Sequence, residues 1–406
     1  MIAKVFPGKL SGAVAAIPSK SHAHRLLLCA AFADAPTEVA CPAVSEDILA
    51  TARCATALGA RVERTEGGFR VKPARLSPFP TLDCGESGST YRFVLPVACA
   101  LGAQARFLLA GRLPERPMGA LFSALSARGI AVSGEGTPTV ETKGKLAGGV
   151  FELPGDVSSQ FISGLLMAAP LTGTDCEIGL TSPLASKGYV DITLSALRMF
   201  GVRADWGANA LFVPGNQAYR SPGTARAEGD WSNAAFFLCA GAACGGRVTV
   251  DGLDPASPQG DRAVADMIER FGIPLRGIDV DISDTPDLAP ALALLGVAAA
   301  GTTRLLNAGR LRLKESDRIA SIVQTLTALG ADIRAEGDAI VVEGKRPLTG
   351  GTVDSHNDHR IAMMAACAAC LSVNPVSILR AETVNKSYPG FFGDLKKLGL
   401  VVETEV

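Results

Sequence analysis

The segment RLKESDRIAS, residues 312–321, places five charged side chains within seven residues, directly before an apolar stretch with the pattern of a helix. Within it, Glu315 lies between Lys314 and Arg318. Nearby cations favour the ionised form of a carboxyl group, and a carboxylate in such a cluster can take and return protons as a general acid–base group. A run of charges is also typical of a solvated turn. The segment by itself leaves both interpretations open.

Basic residues elsewhere also cluster where apolar, helix-like stretches begin. They are Lys20 and Arg25 around Ser21, Arg92 after Gly88, Arg116 in a proline-bounded loop, Arg360 after Asp358 and His359, and Lys386. Arginine binds phosphate and carboxylate groups through a planar fork, and lysine binds them as a point charge. Asp287 precedes a further apolar stretch. Mixed charges at helix starts indicate catalysis on an anionic substrate, and we expect Asp317 and Asp358 to form salt bridges that orient the cations.

The elements that must position these residues repeat along the chain. Six amphipathic stretches end on a glycine, the usual left-handed helix stop, at positions 59, 129, 201, 272, 330 and 399. Six earlier and more apolar stretches start near Ser21, Gly88, Ser158, Ser232, Asp287 and Asp358. Both series repeat about every 70 residues, with one short interval in the same unit. The sequence therefore predicts six units of two helices and short strands, in an α/β fold whose sheets enclose buried helices.

The starts of the buried helices are candidate anion sites. A helix start offers free backbone N–H groups and the positive end of the helix dipole. Six such starts on one side of the protein would bind negatively charged groups through the backbone, so the protein would need no excess of basic side chains. For any single start, ordinary N-capping by serine and aspartate is the simpler explanation.

The composition narrows the class of protein. The chain has 406 residues, of which 48% are hydrophobic, enough for two or three domains with large cores. Its 39 basic and 40 acidic residues give a net charge of −1, so we expect no general attraction to nucleic acid or to an anionic membrane.

Ten cysteines are too few for a disulfide scaffold and indicate a reducing cytoplasm, and we expect Cys367 and Cys370 to pack rather than bind a metal. The N-terminus lacks a signal-peptide pattern and the longest apolar run is too short for a membrane span, which predicts a soluble protein.

Motifs of several other chemistries are missing from the sequence. It has no nucleotide-phosphate loop of the common kinds, no G-x-S-x-G nucleophile elbow and no H-E-x-x-H zinc motif. Two of the four histidines, His24 and His359, lie inside the basic motifs. They could orient other groups or share protons, and packing or helix capping explains them equally well.

Eight motifs follow one another along the chain from Lys20 to Lys386: PSKSHAHR, RPM, DVSSQFISGLLMAAPL, SKGYVDITL, EGDWSNAAFFL, LRLKESDR, DHRIAM and NKSYP. On these motifs the chain resembles the 5-enolpyruvylshikimate-3-phosphate synthase family of enolpyruvyl transferases. The resemblance implies two similar domains, each of three βαβαββ units with buried helices enclosed by sheets, an inside-out α/β barrel. Residues 1–20 and 228–406 would form one domain and residues 21–227 the other, with the active site in an interdomain cleft.

The same resemblance implies a reaction. The carboxyvinyl group of phosphoenolpyruvate would pass to the 5-hydroxyl group of shikimate 3-phosphate through a tetrahedral intermediate, with release of phosphate. This is a step of the shikimate pathway toward chorismate and the aromatic amino acids. The resemblance implies no cofactor and no metal. It also implies small-molecule substrates as the partners, no nucleic acid or membrane, a monomer, and a cytoplasmic location.

Matched motif by motif, the resemblance implies residue roles. Asp287 would accept the proton of the 5-hydroxyl group, Glu315 would deliver and later remove the methylene proton, and Lys20 would be the third catalytic residue. Shikimate 3-phosphate would be bound by Lys20, Ser21, Arg25, Ser158, Ser159, Gln160, Ser186, Tyr189, Asp287 and Lys314. Phosphoenolpyruvate would be bound by Lys20, Gly88, Arg116, Gln160, Arg318, Arg360 and Lys386.

Two positions depart from the family pattern. Glu86 begins the loop Glu86-Ser87-Gly88-Ser89, where many members carry asparagine, alanine, glycine and threonine. Arg310 stands where others have asparagine. We expect Glu86 to pair with a nearby arginine, because an unpaired carboxylate beside an anion site would repel the ligand.

Two other functions are alternatives. A UDP-N-acetylglucosamine 1-carboxyvinyltransferase would share the fold and the donor, but it usually carries a reactive cysteine in a mobile loop, and the corresponding residues 110–121 contain none. A non-catalytic anion- or RNA-binding repeat protein would spread its basic residues over an exposed face. Here the basic residues concentrate at the starts of apolar helices, with acidic residues among them.

Overall fold

The computed structural model of the protein describes residues 1–73 and 76–405. The chain falls into two compact units. Unit 1 comprises Met1–Ile17 and the chain from Gly229 onward, and unit 2 comprises Pro18–Glu228.

The first boundary lies three residues before the position expected from the sequence, and the second lies one residue after it. Lys20 therefore belongs to unit 2 and not to the first segment of unit 1. The reason is that Lys20 begins a helix, Lys20–Ala31, whose apolar residues join the core of unit 2. The two ends of unit 2 meet, since the Ser19 backbone N–H donates to the Glu228 carbonyl oxygen at 2.7 Å.

The α-helices follow the predicted pattern of two per repeat. In the described residues they are α1 Lys20–Ala31, α2 Glu46–Ala57, α3 Gly88–Leu101, α4 Gly119–Ser126, α5 Ser159–Thr172, α6 Lys187–Met199, α7 Trp231–Ala243, α8 Val264–Phe271, α9 Ala289–Ala298, α10 Arg318–Ala328, α11 His359–Ala368 and α12 Phe391–Lys397. The odd-numbered helix of each pair is almost wholly buried, and the even-numbered helix keeps one exposed face. This division follows from the apolar composition of the first helix and the amphipathic pattern of the second.

Short strands alternate with these helices. They are β1 Ile2–Val5, β2 Gly12–Ala15, β3 Thr37–Ala40, β4 Arg61–Thr65, β5 Gly68–Lys72, β6 Thr81–Gly85, β7 Ala105–Leu109, β8 Ala131–Ser133, β9 Thr139–Lys143, β10 Gly149–Leu153, β11 Cys176–Leu180, β12 Asp205–Trp206, β13 Ala210–Val213, β14 Thr224–Arg226, β15 Val248–Asp251, β16 Asp279–Asp281, β17 Thr302–Leu306, β18 Asp332–Glu336, β19 Ala339–Glu343, β20 Gly351–Asp354, β21 Val376–Leu379 and β22 Val402–Glu405. Several alternate buried and exposed residues, as expected of strands that cover a core with one face.

Five four-stranded sheets share one topology. Their strand orders are β14-β3-β5-β4, β6-β7-β9-β8, β10-β11-β13-β12, β16-β17-β19-β18 and β20-β21-β1-β22. In the third of them, β10 is parallel to β11, and β13 pairs antiparallel with both β11 and β12. Each of these repeats is therefore a βαβαββ unit, which confirms the predicted fold class. Two sheets are completed by strands from far along the chain, β14 beside β3 and β1 between β21 and β22.

The fourth repeat, which is short in the sequence, lacks the hairpin of the others within the described chain. Helix α8 ends at Phe271, and β16 of the next repeat already begins at Asp279. The sheet of the fourth repeat consists of β2 and β15, paired in parallel. The short spacing in the sequence thus corresponds to two missing strands.

Local signals explain where the helices begin and end. All six predicted stop glycines have φ between 74° and 115°, a conformation that glycine adopts without strain. Five of the six buried helices begin after a residue whose side chain accepts a backbone N–H of the first turn: Ser19, Ser87, Ser158, Asp230 and Asp358. The predicted starts lie within two residues of the observed ones.

Each unit has its own apolar core around its buried helices. In unit 2, α3 and α5 approach closely at Gly164, where a Cβ atom would lie 2.3 Å from the carbonyl oxygen of Arg92. Each large apolar side chain removed from water contributes about 1.5–3 kcal/mol. This packing holds the starts of α3 and α5 side by side, and those starts carry polar residues of the candidate site.

The cysteines pack as expected. Cys367 is fully buried in the core of unit 1, and the Cys370 thiol lies 3.7 Å from the Ala240 carbonyl oxygen. Among residues 1–73 and 76–405, no cluster of three histidine, cysteine or acidic side chains could hold a metal ion. No helix in the same part of the chain combines the length and apolarity needed to cross a bilayer.

Candidate active site

In unit 2, the first turn of α1 carries Lys20 and Ser21. The Lys20 ammonium group donates to Asp47 Oδ2 at 2.7 Å, and both side chains are 14% exposed. Asp47 lies in the first turn of α2. The sequence had not identified Asp47, which orients Lys20 by an ion pair that remains accessible to a small ligand.

Arg25 lies one turn further along α1 and is almost completely buried. Its Nε donates to Thr193 Oγ1 at 2.7 Å, and its Nη2 donates to the Tyr189 carbonyl oxygen at 2.9 Å and to Ser163 Oγ at 3.3 Å. Its Nη1 donates to the Ser21 carbonyl oxygen. Burial lowers the pKa of Arg25 to about 9, so the guanidinium group stays charged at neutral pH. Only neutral acceptors hold this cation among these contacts, which leaves its charge available to an anion.

The start of α3 brings Gly88 next to Arg116. A Cβ atom on residue 88 would lie 2.5 Å from Arg116 Nη1. Glycine therefore lets the guanidinium group lie against the first turn of α3, where backbone N–H groups and the helix dipole attract anions. The two predicted phosphoenolpyruvate ligands of this segment are neighbours.

The start of α5 places Gln160 beside α3. Its Oε1 accepts from Arg92 Nη1 at 2.7 Å, and its Nε2 donates to Ser89 Oγ at 2.9 Å. Ser158 caps the helix by accepting the Gln160 backbone N–H, and Ser159 is buried in the first turn. Gln160 thus links two helix starts, through Arg92 and Ser89, which were not among the predicted ligands.

Ser186 and Tyr189 flank the start of α6. Ser186 is buried and has a left-handed backbone, with φ of 58°. The Tyr189 carbonyl oxygen accepts from Arg25 and, at 3.1 Å, from Thr193 Oγ1. The start of α6 is therefore tied to Arg25 of α1.

In unit 1, Asp287 lies in a short 3₁₀ turn, Pro286–Leu288, just before α9. Its Oδ1 accepts from Arg318 Nη1 at 2.9 Å and from Lys314 Nζ at 3.2 Å. Its Oδ2 accepts from Arg360 Nη2 at 3.1 Å, and its carbonyl oxygen accepts from Arg360 Nη1 at 3.2 Å. One carboxylate therefore joins three cations from two segments, residues 314–318 and the start of α11.

Arg318 in turn joins three carboxylates, although its side chain is only 1% exposed. Besides Asp287, its Nη2 donates to Glu315 Oε2 at 2.5 Å, and its Nε donates to Asp358 Oδ2 at 2.8 Å. Asp358 also accepts the Arg360 backbone N–H at 3.0 Å, so it caps α11. The three carboxylates and three cations form one closed network.

The network shifts the proton affinities of its members. Burial alone would raise the pKa of Asp287, but Arg360, Lys314 and Arg318 together hold it well below its usual range. Desolvation lowers the pKa of Lys314 to about 8, against the opposing pull of Asp287. Burial likewise disfavours the charge of Arg318, yet Asp358, Glu315 and Asp287 raise its pKa. Asp287 is therefore ionised, and Lys314 titrates close to neutral pH.

Lys386 is held by a separate pair of contacts in unit 1. Its ammonium group donates to the Asn357 carbonyl oxygen at 2.8 Å and to Asn357 Oδ1 at 2.9 Å. Asn357 and the preceding His356 have left-handed backbones, with φ of 56° and 53°. Asparagine tolerates this conformation better than most residues. The turn before α11 thus positions Lys386.

The segment 312–321 divides into two faces. Arg312 and Asp317, which are 40% and 39% exposed, form a surface ion pair at 3.3 Å. Asp317 also caps α10 by accepting the Ala320 backbone N–H at 3.1 Å. The other three charges of the segment pair with the carboxylates and cations around Arg318, so the solvated-turn interpretation holds for Arg312 and Asp317 alone. The acid–base role of Glu315 stays a prediction. The expected salt bridges of Asp317 and Asp358 are present.

The predicted site residues fall into two groups, one in each unit. Unit 2 contains Lys20, Ser21, Arg25, Gly88, Arg116, Ser158, Ser159, Gln160, Ser186 and Tyr189. Unit 1 contains Asp287, Lys314, Glu315, Arg318, Arg360 and Lys386. Sequence reasoning missed the residues that hold them, namely Asp47, Ser89, Ser163, Thr193 and Asn357, because each pairing joins segments distant in sequence or uses an uncharged side chain.

Arg310 and Glu86, the two residues that depart from the family pattern, each contact a specific residue. Arg310 Nη1 donates to the Ser283 carbonyl oxygen at 3.3 Å. A Cβ atom on Gly111 would lie 2.7 Å from the carboxyl carbon of Glu86, so the glycine leaves room for this side chain. The pairing of Glu86 with an arginine stays a prediction.

Comparison with known proteins gives concordant matches. Residues 6–395 match the family model described as EPSP synthase (3-phosphoshikimate 1-carboxyvinyltransferase). The chain is 38% identical to the 3-phosphoshikimate 1-carboxyvinyltransferase of Clostridium beijerinckii, over 98% of both chains. It is 41% identical to the protein of that name from Halobacterium salinarum, over 98% of this chain and 99% of the relative. The solved structure of EPSP synthase from Acinetobacter baumannii superposes with a TM-score of 0.81 at 26% identity, covering 99% of this chain and all of that one.

Proposed function

The chain belongs to the EPSP synthase (3-phosphoshikimate 1-carboxyvinyltransferase) family, and we infer that it is an enzyme that transfers the carboxyvinyl group of phosphoenolpyruvate to the 5-hydroxyl group of shikimate 3-phosphate, with release of phosphate. This is a step of the shikimate pathway, toward chorismate and the aromatic amino acids. The family model and the full-length relatives favour this function over transfer to UDP-N-acetylglucosamine and over a non-catalytic binding protein.

The observation that best supports the chemistry is the Asp287 carboxylate beside Lys314, Arg318 and Arg360. We propose that the 5-oxygen of shikimate 3-phosphate bonds to C2 of phosphoenolpyruvate while its proton passes to Asp287. Glu315, which takes up a proton from solvent once the bound substrates weaken its pairing with Arg318, gives that proton to the methylene carbon and so completes a tetrahedral intermediate. Glu315 then takes a proton back from the new methyl group as the bond to phosphate breaks and the double bond reforms. The proton on Asp287 leaves with the phosphate product or to solvent.

The network explains how weak bases can do this work. In the free protein, three cations depress the pKa of Asp287, and Glu315 is paired with Arg318. Two anionic substrates would compete for the same cations. When the cations turn toward phosphate and carboxylate groups, the protein carboxylates lose part of their charge pairing and their proton affinity rises. Substrate binding would thereby make the carboxylates of Asp287 and Glu315 better proton acceptors than they are in the free protein.

We propose the following ligand assignments, which divide the substrate contacts between the units. Shikimate 3-phosphate binds Lys20, Ser21, Arg25, Ser158, Ser159, Gln160, Ser186, Tyr189, Asp287 and Lys314. Phosphoenolpyruvate binds Lys20, Gly88, Arg116, Gln160, Arg318, Arg360 and Lys386. The reaction then requires residues of both units. Guanidinium groups held by neutral acceptors, as Arg25 is, suit the phosphate, and helix starts such as that of α3 suit the carboxylate or phosphate of the second substrate.

We also propose that the enzyme works as a cytoplasmic monomer without nucleic acid or membrane partners. The net charge of −1 gives no general attraction to polyanions. The ten cysteines are all free thiols, as expected in a reducing compartment. Light scattering at micromolar concentration and a binding assay with duplex DNA at low salt test these points, and a stable dimer or salt-dependent binding would contradict them.

The decisive experiment measures inorganic phosphate release by the purified full-length protein. Phosphate should appear only when phosphoenolpyruvate and shikimate 3-phosphate are both present, and not when UDP-N-acetylglucosamine replaces the second substrate. The variant Asp287→Asn should lose this activity. A matched control is Asp279→Asn, because Asp279 is 56% exposed and pairs only at the surface with Arg304 at 3.5 Å. Release with the UDP sugar, or none with either acceptor, would contradict the proposal.

A further inference from the structure

A circuit of hydrogen bonds, which is closed through the backbone of α1, connects the starts of α1, α2 and α3 in unit 2. His24 Nδ1 lies 2.6 Å from Thr51 Oγ1, and Thr51 Oγ1 lies 2.7 Å from Thr90 Oγ1. Thr90 Oγ1 lies 3.3 Å from the carbonyl oxygen of Asp47. The Asp47 carboxylate accepts from Lys20, one helical turn before His24, and this contact closes the circuit. His24, Thr51 and Thr90 are completely buried.

A branch of the circuit reaches the cap of α3. Thr90 Oγ1 also lies 2.7 Å from Ser87 Oγ, and Ser87 Oγ accepts the Thr90 backbone N–H at 3.3 Å. Ser87 directly precedes Gly88 and Ser89, the first residues of α3. The circuit therefore fixes the first turn of α3 relative to Lys20.

The number of available protons gives the circuit a direction. Thr90 has one hydroxyl proton, and the Asp47 carbonyl oxygen can only accept, so Thr90 donates there. Ser87 and Thr51 must then both donate to Thr90. Thr51 has no second proton, so it accepts from His24. Only this arrangement makes every one of these contacts a hydrogen bond.

The direction determines the state of His24. Its proton lies on Nδ1, and its Nε2 carries a lone pair and no proton. Nε2 is buried with no hydrogen-bond partner among the described residues, which fits an imidazole that is neutral. Burial, Lys20 and Arg25 hold the pKa of His24 well below its usual range, in agreement with this state.

We propose that His24, Thr51 and Thr90 are positioning residues, which hold the Lys20 ammonium group and the first turn of α3 in one geometry for phosphoenolpyruvate. The proposal rests on the proposed function for its kinetic consequence, since Lys20 and Gly88 are assigned there as ligands of this substrate. None of the three residues needs to touch the substrate. They act through Asp47 on Lys20, and through Ser87 on the helix start.

The first test compares kinetic constants of variants. Thr51→Val keeps the shape of the side chain but removes the acceptor for His24 and the donor to Thr90. Because a misplacement of about 1 Å can cost 10²-fold in rate, we expect kcat/KM for phosphoenolpyruvate to fall roughly 10- to 100-fold. The affinity for shikimate 3-phosphate, measured by calorimetry, should fall much less, since Lys20 is only one of its proposed ligands and Arg25 is held by other contacts. Thr303→Val is the matched control, because Thr303 is a fully buried threonine of unit 1 outside the circuit.

A pair of His24 variants separates the hydrogen bond from packing. In His24→Asn the side-chain amide can donate to Thr51 from nearly the position of Nδ1, so most of the activity should return. In His24→Leu the volume is filled but the donor is lost, so the defect should match that of Thr51→Val. Normal constants in Thr51→Val and His24→Leu, or equal defects in His24→Asn and His24→Leu, would overturn the positioning role. If Thr51→Val does not fold, the comparison of His24→Asn with His24→Leu still tests the positioning role.

The second test does not depend on catalysis. The chain has four histidines, so nitrogen NMR of protein labelled in histidine gives four sets of ring signals, and the set missing from His24→Asn belongs to His24. We expect a protonated Nδ1 and an unprotonated Nε2 throughout the neutral pH range. A proton on Nε2 would overturn the circuit even if the protein releases phosphate. If the unmodified protein releases none, the proposed function fails, and the NMR result still accepts or rejects the circuit.

Discussion

Two almost completely buried arginines, Arg25 in unit 2 and Arg318 in unit 1, are held by different means. In unit 2, hydroxyl groups and carbonyl oxygens surround Arg25, and those of Thr193 and Tyr189 are among its partners. In unit 1, carboxylates surround Arg318, with Asp358 and Glu315 as partners of opposite charge. Neutral acceptors orient a cation without cancelling its charge, whereas carboxylates cancel it and become sensitive to protonation. The charge of Arg25 is therefore left available to an anion, whereas the charge of Arg318 is cancelled by its carboxylate partners.

The largest effect that would test this contrast is expected at Glu315. Glu315→Gln keeps the size of the side chain and an oxygen for Arg318, but the amide cannot exchange a proton with carbon. We expect kcat to fall by about 10²–10⁴, with the affinity for both substrates nearly unchanged. Glu336→Gln is the control, since Glu336 is 52% exposed on β18. A kcat close to that of the parent enzyme would show that Glu315 does not transfer the methylene proton.

Asp358 tests how much the carboxylates contribute to the stability of unit 1. Asp358→Asn can still cap α11, because asparagine is a good N-cap, so the change isolates the charge pairing with Arg318. Arg318 keeps two other carboxylates, and we expect a loss of about 3 kcal/mol in the free energy of unfolding, at the low end for a broken buried pair. Urea denaturation measures it. A loss below the cost of one neutral hydrogen bond would show that Asp358 acts mainly as a cap.

The pH dependence of kcat/KM should reflect the loss of the proton from the Lys314 ammonium group. Desolvation lowers its pKa to about 8 in the free protein. The ammonium form is present below that value and is lost as the pH rises through it. Since kcat/KM reports the free enzyme, we expect kcat/KM to fall about tenfold per pH unit above pH 8. In Lys314→Arg the guanidinium group stays charged, so the fall should move to higher pH. An unchanged profile in that variant would assign the titration to another group.

The smallest effect is expected in unit 2. Thr193→Val removes the partner of Arg25 Nε and keeps the volume. The other contacts of Arg25 remain, so we expect a loss of about 1.5 kcal/mol in the free energy of unfolding, typical of one hydrogen bond to a charged group. Denaturant unfolding measures it, with Thr325→Val in α10 as a buried control. A loss of unfolding free energy as large as that of Asp358→Asn would show that neutral acceptors hold Arg25 as strongly as carboxylates hold Arg318.

Sequence reasoning recovered the features that local signals encode. The stop glycines, the capped helix starts and the six repeats all depend on residues close together in the chain, and each is where it was expected. The cluster of Lys314, Glu315 and Arg318 was visible for the same reason, as three charges within five residues. The short fourth repeat was visible as a spacing, but the two missing strands behind it were not.

Pairings between distant segments were beyond the sequence alone. Arg25 and Thr193 are 168 residues apart, and Lys20 and Asp47 are 27 apart. Nothing in the local pattern distinguishes Thr193 from other threonines, because its role arises only when α1 and α6 pack. The strand β1 is a similar case, since its place between β21 and β22 joins the two ends of the chain.

The way unit 2 closes on itself has a consequence for engineering. Its first and last residues are linked through the backbone contact between Ser19 and Glu228, and its final strand β14 completes the sheet of its first repeat. A short linker could therefore join residue 228 to residue 18, and new termini could be opened in an exposed turn such as Glu66–Gly67. Such a circular permutant, made from residues 18–228 alone, is expected to keep the core of unit 2, so the proposed ligands of this unit could be titrated without unit 1.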